Sequence, residues 1–104
     1  MPRGIHDPNV RLASPSVVTV TSGQCSAEID ISGCEEWRVK RLASSDGDVR
    51  YEQDGTPTES AGYMLTAEDS VSEWHDCKGS GATYVKVYAI AGNVDVEIGK
   101  KVRA

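Results

Sequence analysis

The residues of this 104-residue chain that could do chemistry are few: Cys25, Cys34 and Cys77, two histidines, and two short acidic clusters. Cys25, Cys34, His75 and Cys77 have the ligand types of a structural Cys3His zinc site. Their spacing opposes it: eight residues, including the alternating run 27–31, separate Cys25 from Cys34, where a zinc knuckle has about two to four. The cysteines are therefore expected to be small, unligated thiols, mostly buried. Because their number is odd, one must stay free or pair between chains, so the chain is not read as a disulfide scaffold. Asp46 and Asp48, and Glu52 and Asp54, could attract calcium, but calcium wants about six to eight oxygens and no full ligand loop is present. Turn formation explains these carboxylates without a metal. His6 sits in a proline-rich stretch that cannot hold a general base in place, and His75 lies two residues before Cys77, where strand neighbours share a face for no catalytic reason. No nucleophile elbow or phosphate-cradling glycine loop occurs. The expectation is a non-enzymatic protein without cofactor or metal, working through its surfaces.

Those surfaces must be presented by strands. Val17-Val18-Thr19-Val20-Thr21 is β-branched throughout, which suits a pleated, half-buried surface. Ala27–Ile31, Trp37–Lys40, Val49–Glu52 and Val94–Ile98 alternate apolar and polar residues, placing Ile29, Ile31, Trp37, Val39, Val94, Val96 and Ile98 inward. Short strands are expected over Gly62–Thr66 and Val71–Trp74, and the longest over Ala82–Ala91. Gly23, Gly33, Asp46-Gly47, Asp54-Gly55-Thr56-Pro57 and Gly92-Asn93 punctuate these runs as turns, with Asp-Gly supplying positive φ and Pro57 stiffening the exit. About eight short strands at this spacing predict an all-β, antiparallel β-sandwich or jelly-roll-like domain over residues 16–104. Residues 1–15, with Pro2, Pro8 and Pro15, predict an extended N-terminal arm.

Composition narrows the function. The chain lacks Phe and is 38% hydrophobic, a thin core for which association with other chains is a reasonable supplement. A net charge of −5 opposes nucleic acid as a partner, since phosphate binding needs a positive field. Arg38 and Lys40 alternate with Val39 as one solvated strand face, and Lys100-Lys101-Val102-Arg103 reads as a charged tail. No window approaches the ~18 apolar residues of a membrane span, and residues 1–15 lack the apolar stretch of a secretion signal. A protein made in a cytoplasm and having no membrane partner is expected.

One strand breaks the in–out rule. On Ala82–Ala91, one face carries Val85, Val87 and Ala89, and the other carries Tyr84, Lys86, Tyr88 and Ile90. Both are largely apolar or aromatic, so the outer one needs a cover: a loop, the arm, or another chain. Tyr is a favoured interface anchor. Tyr84, Lys86, Tyr88 and Ile90, together with Arg3, Ile5, Val10 and Leu12 of the arm, are the candidate interface residues of an expected homo-oligomer, a dimer or trimer.

Val49-Arg50-Tyr51-Glu52-Gln53-Asp54-Gly55-Thr56-Pro57-Thr58, followed by Gly62-Tyr63-Met64-Leu65 and later by Val85-Lys86-Val87-Tyr88-Ala89-Ile90, resembles two groups. One is a class of small tailed-bacteriophage virion proteins, with an Arg-Tyr-like strand end, a Asp-Gly-Thr-x-Pro-Thr turn and a long strand near an Ala-Ile pair. The other is the Ig-like domain appended to chitobiases, which has a similar turn. The likeness covers roughly the C-terminal half and departs from both at Thr56-Pro57, where a spacer is missing, and around Trp74–Gly81. The chain begins at Met1 and shows no secretion signal, which favours the phage-like group. That resemblance implies a capsid decoration (cement) protein, or a neck or tail component, located in a virion assembled in the host cytoplasm. Its partner would be the major capsid protein or another virion protein. The second resemblance implies a carbohydrate-binding module, with Trp74 and Tyr63 as sugar-stacking candidates.

Overall fold

The structure, a computed structural model, describes residues 10–66 and 70–103. Nine strands and no helix occur among them: β1 (Val10–Leu12), β2 (Ser16–Val20), β3 (Ile29–Asp30), β4 (Glu36–Arg41), β5 (Asp48–Gln53), β6 (Tyr63–Leu65), β7 (His75–Asp76), β8 (Tyr84–Ile90) and β9 (Val94–Arg103). They form two antiparallel sheets. In the first, β9 is central, with β1 and β2 end to end along one side and β4 then β7 on the other. The second runs β3-β8-β5-β6. The sheets close as a sandwich on one core.

The alternating strands put the expected side chains inside. Trp37, Val39, Val49, Val85, Val87, Ala89, Val94, Val96 and Ile98 are fully buried, and Ile31 with them. With no Phe available, Trp37 supplies the bulk. It stacks on His75 at 4.5 Å and meets Tyr51 edge-on at 5.8 Å, the offset geometries aromatic rings prefer.

Several local expectations are corrected. The longest strand is β9, not β8, because the stretch read as a charged tail continues it to Arg103. Its lysines find partners at their tips: Lys101 pairs with Glu36 at 3.2 Å, and Lys100 Nζ reaches the Asp30 carbonyl at 3.4 Å. Apolar stems packed against the sheet with solvated heads make such residues compatible with a strand. Val10–Leu12, assigned by composition to the arm, pairs with Lys101–Arg103 as β1; Pro15 interrupts that edge before β2 begins. The segment around Val71–Trp74 is not a regular strand. There the Val39 N–H bonds to the Ser72 hydroxyl at 3.0 Å, so a side chain replaces the carbonyl a ladder needs, and regular pairing resumes only at His75.

The turns are also built differently. Asp54 itself has positive φ (50°), whereas Gly55 does not, and neither Asp46 nor Gly47 does. Gly47 is required by close approach instead: a Cβ there would lie 2.3 Å from the Gly92 carbonyl oxygen. The left-handed residues of the β8–β9 turn are Ala91 and Gly92.

Candidate functional site

In an antiparallel sheet, directly paired residues share a face. Tyr88 pairs with Arg50 and with Cys25, and Arg50 pairs with Met64. Cys25, Tyr88, Arg50 and Met64 thus form a row across the outer face of the second sheet. Lys86 beside Glu52 and Ile90 beside Asp48 make the flanking rows, and Tyr84 stands next to Asp30. Tyr84, Lys86, Tyr88 and Ile90 are all half-buried, and Met64 is 43% exposed. The face carries Cys25, Tyr88 and Met64 around Arg50 at its centre and charged residues at its margin.

Its cations are turned aside. Arg50 Nη1 donates to the Gly62 carbonyl at 2.7 Å and Nε to that of Glu59 at 3.1 Å. Lys86 Nζ reaches Thr56 Oγ1 at 3.5 Å. Both side chains therefore aim donors at the 54–62 turn and leave aliphatic stems on the face. The segment 22–28 does not lie over this surface. It runs along the edge of β8, with Gly23 N–H bonded to the Ala89 carbonyl at 2.8 Å and Ser26 N–H to that of Val87 at 2.7 Å.

The sequence-derived interface set is divided by the fold. Tyr84, Lys86, Tyr88 and Ile90 share this face. Val10 and Leu12 lie in β1 of the other sheet, opposite Arg103 and Lys101, and Leu12 is 65% exposed on the far side of the sandwich. Arg3, Ile5 and His6 lie outside the described residues. Met64, Arg50 and Cys25 join this face without belonging to the interface set expected from sequence. The register of the β5–β6 hairpin sets Met64 beside Arg50, and the β5–β8 pairing sets Arg50 beside Tyr88.

The turn residues position β8. Asp54 Oδ1 accepts from Thr83 N–H at 2.9 Å, Thr83 Oγ1 at 2.8 Å and Tyr84 N–H at 3.3 Å. These bonds, the Thr83 backbone one foremost, hold the Asp54 carboxyl below its ordinary range. Pro57 is fully buried, and Gly62, with φ of 115°, approaches within 3.2 Å of its Cβ if given a Cβ of its own.

The groups considered for chemistry are dispersed. Cys34 and Cys77 are buried in the core while Cys25 is on the outer face. Among the described residues, no three His, Cys, Asp or Glu side chains converge on a metal position. His75 stacks on Trp37 and shares a 2.9 Å hydrogen bond between Nε2 and the Tyr51 hydroxyl. Burial pushes its pKa down, with Glu73 opposing. Burial also raises the Cys25 thiol against the pull of Lys86, which makes it a poor nucleophile. Of the sugar-stacking candidates, Trp74 lies between Arg38 and Lys101, each 4.4 Å from its ring centre. Tyr63 is 55% exposed, stacked on Tyr51 at 5.2 Å and bordering a shallow hollow with Glu52 and Gly62.

The fold and this face define a class: an all-β sandwich whose outer sheet face, among the described residues, carries half-exposed tyrosines. No family model and no curated protein matches the chain. A solved structure from work titled "Bacillus endospore appendages form a novel family of disulfide-linked pili" is similar over 91% of this chain and 88% of that one, at 11% identity and a TM-score of 0.47.

Proposed function

We propose that this protein is a non-enzymatic structural component of a bacteriophage virion, a capsid decoration protein that stabilises the shell through protein–protein contacts. The observation that carries the reading is the row Cys25–Tyr88–Arg50–Met64, in which Cys25, Tyr88 and Met64 flank the Arg50 stem on a sheet face that remains half-open to water. A chain with so small a core gains from hiding that row. In the proposed arrangement the row is the self-contact of a closed oligomer, where one patch meets its own copy. The opposite side, where Leu12 and Val17 are 65% and 61% exposed, meets the major capsid protein. The resemblance of the 49–65 hairpin to phage virion proteins supports the same reading. Attachment to the assembled shell alone would stabilise that shell by mass action.

The test is co-sedimentation of the purified protein with phage shells that lack it. Saturable binding, weakened by Leu12→Asp, is the expected result; absence of binding to shells, necks and tails alike would refute the virion role. A second reading, a carbohydrate-binding module, is favoured by the exposed Tyr63 ring at the hollow that Glu52 and Gly62 also line. Glycan binding that disappears in Tyr63→Ala, without any shell binding, would select it.

A further inference from the structure

We propose that Cys34 and Cys77 are a disulfide-forming pair, closed by thiol–disulfide exchange with a small-molecule disulfide such as glutathione disulfide. The backbone brings them together. Beyond the β4–β7 pairing, the Cys77 N–H bonds to the Glu35 carbonyl at 3.0 Å, so Cys77 lies opposite the residue that follows Cys34. A single acceptor serves both cysteines: the Ile31 carbonyl takes the Cys34 N–H at 3.3 Å and the Cys77 thiol at 3.2 Å. Cys77 Sγ also lies 3.5 Å from the Ala82 carbonyl, and each residue is 2% exposed. Burial, and then the neighbouring Cys77 thiol, push the Cys34 pKa up to about 12. In the folded protein both residues thus share one backbone acceptor and are sheltered from solvent, and the Cys34 thiol is held protonated.

The chemistry balances in two exchanges. One cysteine thiolate attacks the small disulfide, forming a mixed disulfide and releasing one small thiolate. The second cysteine thiolate then attacks the protein sulfur of that mixed bond, closing Cys34–Cys77 and releasing the second small thiolate. The two protein thiols lose two protons and two electrons, and the reagent is reduced to two thiols. Since both thiols are shielded once the core has formed, and the Cys34 thiolate is suppressed, exchange belongs to the folding chain or to transient opening. Once closed, the bond tethers the start of β4 to the 77–82 turn, and burial protects it from reductant. The odd cysteine count then resolves into this pair and a single Cys25, which the fold places on the outer face beside Tyr88.

The test compares protein refolded with excess glutathione disulfide against protein refolded in reductant. Oxidised material is expected to lose about 2 Da, keep one alkylatable thiol after denaturation, and give a disulfide-linked peptide joining Cys34 to Cys77. Closing a loop of roughly 40 residues should also raise Tm by about 10–20 °C. Cys25→Ser should behave identically but retain no free thiol. Three alkylatable thiols after oxidative refolding, a linkage that involves Cys25, or an unchanged Tm on closure would each overturn the proposal. The wild-type peptide map decides the matter even if a cysteine variant fails to fold.

Discussion

Replacing Tyr88 with Asp separates the contribution of the outer face to folding from its contribution to assembly. Within one chain, Tyr88 meets Cys25 on one side and Arg50 on the other. Cross-strand pairs of this kind are worth about 0.2–1 kcal/mol each, and the lower strand preference of Asp adds up to about 1 kcal/mol. The fold should therefore lose about 2 kcal/mol, a Tm decrease of about 10 °C, and keep its β circular dichroism. At the proposed self-contact the cost is larger. The part of the ring still open to water, on the order of 50 Å², would be buried in each of two copies, worth about 2.5 kcal/mol together. Carboxylates forced into the same place add at least about 1 kcal/mol more. Association should weaken by at least about 100-fold. Sedimentation velocity over a concentration series reads this directly, with Leu12→Asp, on the far side of the sandwich, as the control that keeps the oligomer. A Tyr88→Asp protein that folds and associates within about threefold of wild type would refute the reasoning. Should that variant fold poorly, Tyr88→Ser applies the same test with a smaller penalty.

Other perturbations probe the frame that holds this face. Gly47→Ala should cost about 2–3 kcal/mol in urea denaturation, because its Cβ would collide with the backbone of Gly92 and Ile90; an unchanged midpoint would contradict the close approach. Ile98→Ala, at the centre of β9, should lose about 2–5 kcal/mol by emptying a fully buried site, read from the same denaturation curves. Stability should fall on acidification in two stages. Burial lowers the His75 pKa, so below about pH 6.5 the unfolded chain takes up the proton first and the folded state loses ground. Asp54, Asp30 and Asp95 are held low by hydrogen bonds from Thr83, Ser32 and Ser44 respectively, and their contribution disappears as pH drops through their folded values. Tm measured from pH 7.5 to 3 should decrease throughout, and His75→Gln should flatten the upper stage. A Tm that rises between pH 7 and 5 would contradict the His75 assignment, and one that rises between pH 4 and 3 would contradict the carboxylate assignments.

The sequence was informative wherever alternation alone decided burial. Val94, Val96 and Ile98 lie inside while Asp95 and Glu97 lie outside because a strand offers only two faces. The two-faced β8 was legible for the same reason, since a polar outer row would have been expected there. Misread features depended on distant partners. Lys100 and Lys101 look like a tail until Asp30 and Glu36 are seen to receive them. Arg41 looks like a surface charge, yet it is 5% exposed, with Nε donating to the Gly47 carbonyl at 2.9 Å and Nη2 to that of Ser45 at 3.3 Å. It ties the turn after β4 to the strand that precedes it. The positive φ at Asp54 also has a non-local cause, because three donors from Thr83 and Tyr84 hold its carboxylate. Pairing register was likewise hidden, so Arg50 and Met64 could not be joined to Tyr88 before the strands were aligned.

Alkylation of Cys25 tests the central claim most directly, since this thiol lies in the same row as Tyr88 and can be followed by peptide mass spectrometry. Its labelling rate should fall at least about tenfold when the dilute protein is concentrated into its oligomer or bound on shells. A rate that stays the same in the fully assembled state would show that the Tyr88 face is never covered, and the proposed mode of assembly would be wrong.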